Sequence, residues 1–166
     1  NVRLFNETKE ALDQQRASGE VLAAISSSIA DTTPVFERIL ASCVRLFAGQ
    51  LVQINLVGDD GLVHLGAHHG PARSEIEKVF PFVSDERSAT GTAILRRSVV
   101  HYADVDGDPT VPELARRGWQ LQGIKAAIAA PMLWEGKGMG AILVGRDHPG
   151  PFSDKEKAGF RYASLV

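Results

Sequence analysis

The stretch IKAAIAAPMLW-EGKG-MGAILVGRD, residues 124–147, constrains the chain more than any other. Two apolar runs flank a turn, Glu135-Gly136-Lys137-Gly138, whose glycines supply the positive φ that a tight hairpin needs. A second pair of runs, LVQINLV (51–57) and LVHLGAHHG (62–70), flanks Gly58-Asp59-Asp60-Gly61 in the same way. Strands joined by turns this short pair antiparallel, because a parallel pair needs a crossover of about a dozen residues or more. VVHYADV (99–105) adds a short strand.

Helical signals surround these strands. Thr33 caps and Pro34 opens a helix over VFERILASCVRLFAG, with Phe36, Ile39, Leu40, Cys43, Val44 and Phe47 on one apolar face. Short helices are expected at 72–79 and 88–98, with Thr90, Ala93 and Ile94 of the latter facing inward. The long loop 106–123 holds one helical turn at 112–117. In PGPFSDKE, Ser153-x-x-Glu156 is a capping box that starts a last helix. The expected fold is α+β: a central antiparallel sheet, the N- and C-terminal helices packed on one face, and short helices and loops over a pocket on the other.

Residues 1–30 read as a further helix. Leu4, Thr8, Ala11, Gln15, Ser18, Leu22, Ile25 and Ile29 recur at alternating spacings of four and three, the heptad stripe of a helix lying along another. Two readings stay open: an amphipathic helix on its own domain, or a dimer seam through Leu4, Ala11, Leu22, Ile25 and Ile29.

Composition excludes several classes. The net charge of −2 offers no basic field for nucleic acid or an anionic membrane surface. The single cysteine, Cys43, rules out an intramolecular disulfide and fits a reducing cytoplasm. No apolar run approaches the ~18–20 residues that span a bilayer. The polar start NVRLFNETKE, without an initiator methionine, reads as a piece cut from a longer protein.

Three stretches carry a family resemblance. VFERILASCVRLFAGQLVQINLV resembles an entry helix and first strand, SATGTAILRRSVVHYADVDGDP the middle, and GIKAAIAAPMLWEGKGMGAILVGRDHPGPFSDKE the end of a GAF domain, a ligand-sensing module related in fold to PAS domains. Together they span residues 34–160. The resemblance implies a connector helix over 1–30 and a GAF domain over 31–166 that is cut inside its own exit helix. NVRLFNETKEAL is similar to the tail of a preceding module of the same kind.

The resemblance further implies a non-catalytic sensor for signal transduction. It would bind a small ligand, or only relay packing shifts, through terminal helices paired in a homodimer. Its output domain would be a sensor histidine kinase of a two-component system or, next, a nucleotide cyclase. A cofactor-binding or enzymatic relative, and a mere spacer with a filled core, are the alternatives. No cofactor is named. Bilin attachment is disfavoured, since no cysteine follows Cys43, and sulfoxide reduction, which in such domains uses several cysteines, is disfavoured too. Phe152-Ser153-Asp154-Lys155-Glu156 resembles only the end of the cyclic-nucleotide signature, and the helix cap already accounts for it.

Other chemistry finds little support. Alternation would put His64 and His68 on one strand face, yet no cysteine or carboxylate pair lies at ligand spacing, so no metal is expected. Asp104-Val105-Asp106-Gly107-Asp108 lacks the calcium-loop glycine and glutamate and reads as a solvated turn. Gly136-Lys137-Gly138-Met139-Gly140 lacks the Ser/Thr and the helix of a phosphate loop. Cys43 reads as a buried structural thiol. The pocket candidates are Gln53 and Asn55 on one face of a central strand, Tyr102 and Asp104 at a strand end, Trp119 and Gln122 in the loop resembling a lid, and apolar Leu65, Ile94, Ala129 and Met132.

Overall fold

The computed structural model describes residues 33–47 and 51–158. The helix expected over 1–30, with Leu4, Ala11, Leu22, Ile25 and Ile29, and the chain beyond 158 lie outside the described residues.

Six strands form one sheet: β1 (Leu51–Val57), β2 (Leu62–His69), β3 (Phe82–Val83), β4 (Val100–Tyr102), β5 (Ala126–Trp134) and β6 (Lys137–Arg146). Their order is β3-β2-β1-β6-β5-β4, and every neighbouring pair is antiparallel. The expected architecture is thus present, with two differences in extent. The strand expected over 99–105 keeps three residues, and the two-residue β3 was not anticipated. The β5–β6 turn is also tighter than expected. Only Glu135 (φ 49) and Gly136 (φ 77) lie between Trp134 and Lys137. Two left-handed residues make a primed turn, whose twist matches that of the flanking strands.

One sheet face is covered by α1 (Thr33–Phe47), which crosses β1 and β2. Leu40 and Cys43 reach into a core with Val52, Ile54, Leu56, Ile128, Met132 and Val144. Each fully buried aliphatic side chain of this kind contributes about 1.5–3 kcal/mol. Burial pushes the Cys43 thiol up to about 11, which keeps it protonated at neutral pH. Phe152 joins the same core, with the Arg146 guanidinium 4.0 Å over its ring and His101 packed edge-on at 5.3 Å. The capping box then appears as expected: Ser153 N donates to Glu156 Oε2 (2.6 Å) and Glu156 N to Ser153 Oγ (3.2 Å), opening a helix over 154–158.

The opposite face carries α2 (Arg73–Glu77), α3 (Ala89–Arg96) and α4 (Glu113–Leu121). Ser88 caps α3, its Oγ accepting from Gly91 N at 3.0 Å. The one helical turn expected at 112–117 is in fact a nine-residue helix. Arg116 ties its first half to the preceding loop. Its guanidinium donates to the carbonyl oxygens of Val105 (2.7 Å), Asp106 (2.9 Å) and Asp108 (2.6 Å), lashing the long loop to the helix. The aspartates of that loop bond within it or nearby: Asp104 Oδ1 accepts from Gly107 N, Asp108 Oδ1 from Thr110 N, and Asp106 pairs with Lys125. The solvated-turn reading accounts for them.

α4 ends in a Schellman motif. Ile124 N donates to Trp119 O (2.9 Å) and Gly123 N to Gln120 O (3.1 Å), with Gly123 at φ 69. This end positions both Trp119 and Gln122 against the sheet.

Candidate functional site

β1 is buried on both faces, so its alternation divides polar from apolar. Val52, Ile54 and Leu56 enter the α1-side core, and Gln53 and Asn55 face the other way. An unpaired amide is costly inside a protein, and these two find partners. Gln53 Nε2 donates to Asn55 Oδ1 (2.8 Å), and Asn55 Nδ2 to Thr90 Oγ1 (2.8 Å) at the start of α3. His68 Nδ1 meets Gln53 Oε1 at 3.1 Å, and its Nε2 meets Pro71 O at 3.3 Å. A polar chain of four side chains therefore runs from β2 across β1 to α3.

His68 reaches this chain because of a bulge. Ile54 pairs with Ala67 but Asn55 pairs with Leu65, leaving Gly66 as the extra residue. A Cβ at Gly66 would lie 2.9 Å from Leu56 Cδ1, so a side chain is poorly tolerated there. The extra residue reverses the alternation. His68 sits opposite Gln53, while His64 sits opposite Leu56 on the other face and pairs with Asp60 (2.9 Å). The expectation that His64 and His68 share a face is therefore corrected. Among the described residues no group of three or more metal-ligating side chains comes together.

Over the polar chain lies a partly open cavity of about 50 Å³. β1 and β6 give its floor (Gln53, Asn55, Leu143), and the start of α3 gives Ser88, Ala89 and Thr90. α4 contributes Leu114, Ala115, Gly118, Trp119 and Gln122; α2 and the segment after it contribute Ile76, Val79, Phe80 and Phe82. The volume is smaller than the roughly 150 Å³ that accepts benzene in an engineered core. It suits the end of a small molecule unless α4 shifts.

Of the residues expected to form a pocket, the structure brings four to this cavity: Gln53, Asn55, Trp119 and Gln122. The others lie elsewhere. Tyr102 is buried behind Trp119, ring to ring at 5.7 Å, and Ala129 is packed in the same core. Met132 belongs to the core on the opposite sheet face. Ile94 is half-buried against Gly138, Leu65 is half-buried beside Asn55 in the ladder, and Asp104 is exposed. Phe80, Phe82, Ser88 and His68 were missed. Only tertiary packing places them here, although an imidazole three residues from Pro71 is a turn-side signal.

His68 and His101 are both held below the usual histidine range. Burial is the main cause for each. The positive charges of Arg73 for His68, and of Lys157 and Arg146 for His101, act the same way. For His68 the carbonyls of Pro71 and Gly70 oppose the shift. A neutral ring donates from one nitrogen only, and the Nδ1 contact with Gln53 Oε1 (3.1 Å) is the shorter of its two. His101 Nε2 accepts from Phe152 N at 3.2 Å and must be unprotonated there.

The sign of the pH effect follows. The unfolded chain takes up these protons near about pH 6.5, the folded chain only at lower pH. Stability from both histidines is complete above about pH 6.5 and is lost as pH falls toward their depressed values. The melting temperature is expected to drop between neutral pH and about pH 5. His101→Gln retains an acceptor without a titrating proton and is expected to flatten part of that slope. Parallel melting curves for the two proteins across this range would contradict the assignment.

A family model for the GAF domain matches residues 31–162. No curated protein matches the chain. Among solved structures, a GAF domain/HD domain protein from Geobacter sulfurreducens is similar at 18% identity, with a TM-score of 0.65, 83% of this chain and 90% of that one covered. A domain assigned to a two-component sensor histidine kinase of Sinorhizobium meliloti matches at 19% identity and TM-score 0.62, covering 80% and 84%. A free methionine-R-sulfoxide reductase from Neisseria meningitidis, solved with its substrate, matches at 16% and 0.62, covering 93% and 86%.

Proposed function

The chain belongs to the GAF family, and from that premise we propose that it is a non-catalytic sensory module whose cavity takes a small ligand. The observation that carries this reading is the side-chain chain His68–Gln53–Asn55–Thr90 beneath the cavity. It bonds the central strand to the first turn of α3, so a molecule that engages its amides also acts on how α3 is held. Packing shifts in the sheet would reach α1 on the far face and, through the terminal helices, a partner chain and an output domain. A cytoplasmic sensor histidine kinase is the parent we favour, supported by the similar domain assigned to such a kinase; a nucleotide cyclase is next. The reductase similarity does not extend to its chemistry here, because the one thiol, Cys43, is buried and protonated on the opposite side of the sheet.

Gly118 provides a test in which fold and function part ways. It lines the cavity from within α4, and a Cβ there would meet only Ile76 Cδ1, at an ordinary 3.9 Å. Gly118→Ala should therefore stabilise the helix by about 1 kcal/mol while narrowing the cavity by a methyl group. Titration with a panel of small polar and aromatic compounds, read at the Trp119 indole N–H, is expected to give shifts that weaken in the variant. A more stable variant that keeps every shift sinks the cavity as a ligand site. The dimeric relay is tested separately, by sedimentation of the chain with and without residues 1–30; a monomer in both at high concentration counts against it.

A further inference from the structure

The lining of the cavity restricts what can enter it. None of its side chains carries a charge. An ion drawn into such a wall would lose its hydration and meet no counter-charge. The wall nevertheless has an unmet need. Gln122 is only 6% exposed, and its Nε2 donates to Gly118 O at 3.0 Å. Its Oε1 is buried with no hydrogen-bond partner among the protein's described groups. A buried acceptor left in this state is costly, and a donor on an occupant would relieve it.

The floor has the complementary capacity. The amide nitrogens of Gln53 and Asn55 each commit one N–H to the polar chain, and each carries a second. Trp119 and Phe80 add ring surface beside these groups.

Resting on the reading of the cavity as a ligand site, we infer that its occupant is a small uncharged molecule bearing both an N–H and a carbonyl. It is a primary amide, lactam or cyclic urea, alone or as the buried end of something larger. Its N–H bonds Gln122 Oε1, and its carbonyl accepts from the floor amides. Phosphates, carboxylates and ammonium groups are kept at the cavity mouth or excluded.

Four five-membered-ring probes separate the terms. 2-Imidazolidinone is uncharged and carries a carbonyl between two N–H groups. 2-Aminoimidazoline is its cationic counterpart, cyclopentanecarboxylate an anionic one, and cyclopentanone an uncharged one without N–H. Each is titrated into the 15N-labelled chain and followed at the Trp119 indole and Gln122 amide resonances. 2-Imidazolidinone is expected to bind at least roughly tenfold more tightly than the other three, the order expected when a buried polar group loses its partner. Gln122→Leu is expected to erase the advantage over cyclopentanone, whose own binding stays unchanged, while the two charged rings remain weak. Should that variant fail to fold, the four-probe ranking on the unsubstituted chain still decides. Equal or tighter binding of a charged ring, or of cyclopentanone, overturns the inference while the cavity stands as a ligand site. If no ring at all moves the Trp119 indole, the ligand-site reading itself fails.

Discussion

Gly91→Ala is expected to lower the stability of the chain by about 3 kcal/mol, a large fraction of the roughly 5–15 kcal/mol that holds a domain of this kind together. On propensity alone the change should help, since alanine in a helix is favoured over glycine by about 1 kcal/mol. The surroundings reverse the sign. A Cβ at Gly91 would overlap the Asp85 carbonyl oxygen and stand 2.6 Å from the Asp85 amide nitrogen. These are backbone atoms, and the segment that carries them has little freedom. Asp85 N donates to Val83 O (3.0 Å), Ser88 N and Ser88 Oγ reach Asp85 O (both 3.3 Å), and Asp85 Oδ1 accepts from Arg87 N (3.0 Å). Relief requires α3 to back away from its own cap, which breaks the Gly91 N to Ser88 Oγ bond and costs about 0.5–2 kcal/mol by itself. It also loosens α3 from β5 and β6, against which it packs. The measurement is denaturant unfolding of Gly91→Ala beside Gly118→Ala. The same chemical change in two helices should move the midpoint in opposite directions. A midpoint for Gly91→Ala at or above that of the parent would refute the close-approach account.

Trp119→Ala is the second large effect. Trp119 is 3% exposed and shares a core with Tyr102, Val105, Val111 and Leu143. Burial raises the Tyr102 hydroxyl above its ordinary range, in keeping with the dry contact behind the indole. Truncating a large buried aromatic typically costs about 3–5 kcal/mol, through lost transfer energy and the hole left behind. Here the hole would merge with the cavity that the indole lines. Trp119→Phe keeps most of the ring contact with Tyr102 and is expected to cost less than half as much. A loss under about 1 kcal/mol for the alanine variant would show that the indole merely lies over a loop.

Much of this architecture was legible along the chain because its causes are local. Short turns dictated antiparallel pairs, and Ser153 with Glu156 announced a helix start that the structure reproduces atom for atom. Gln53 and Asn55 stood out as amides in an otherwise apolar strand, and they do floor the cavity. The readings that went astray depended on something non-local. Strand alternation put His64 and His68 together until one unpaired glycine shifted the count. A single helical turn was expected where a nine-residue α4 forms, its Arg116 bonded to three loop carbonyls and its end closed against Ile124. Met132 was expected in the pocket, but the register of β5 turns it to the α1 side.

By itself the sequence determined the pairing direction of the strands, the capping box at Ser153 and the inert setting of Cys43, since each follows from residues within a few positions of one another. Tertiary structure alone decided which side chains meet. The cavity draws on three helices and three strands, and its polar chain joins residues up to 35 positions apart. Such meetings depend on register, bulges and helix docking, whose energies are summed over the whole core rather than written in any one segment.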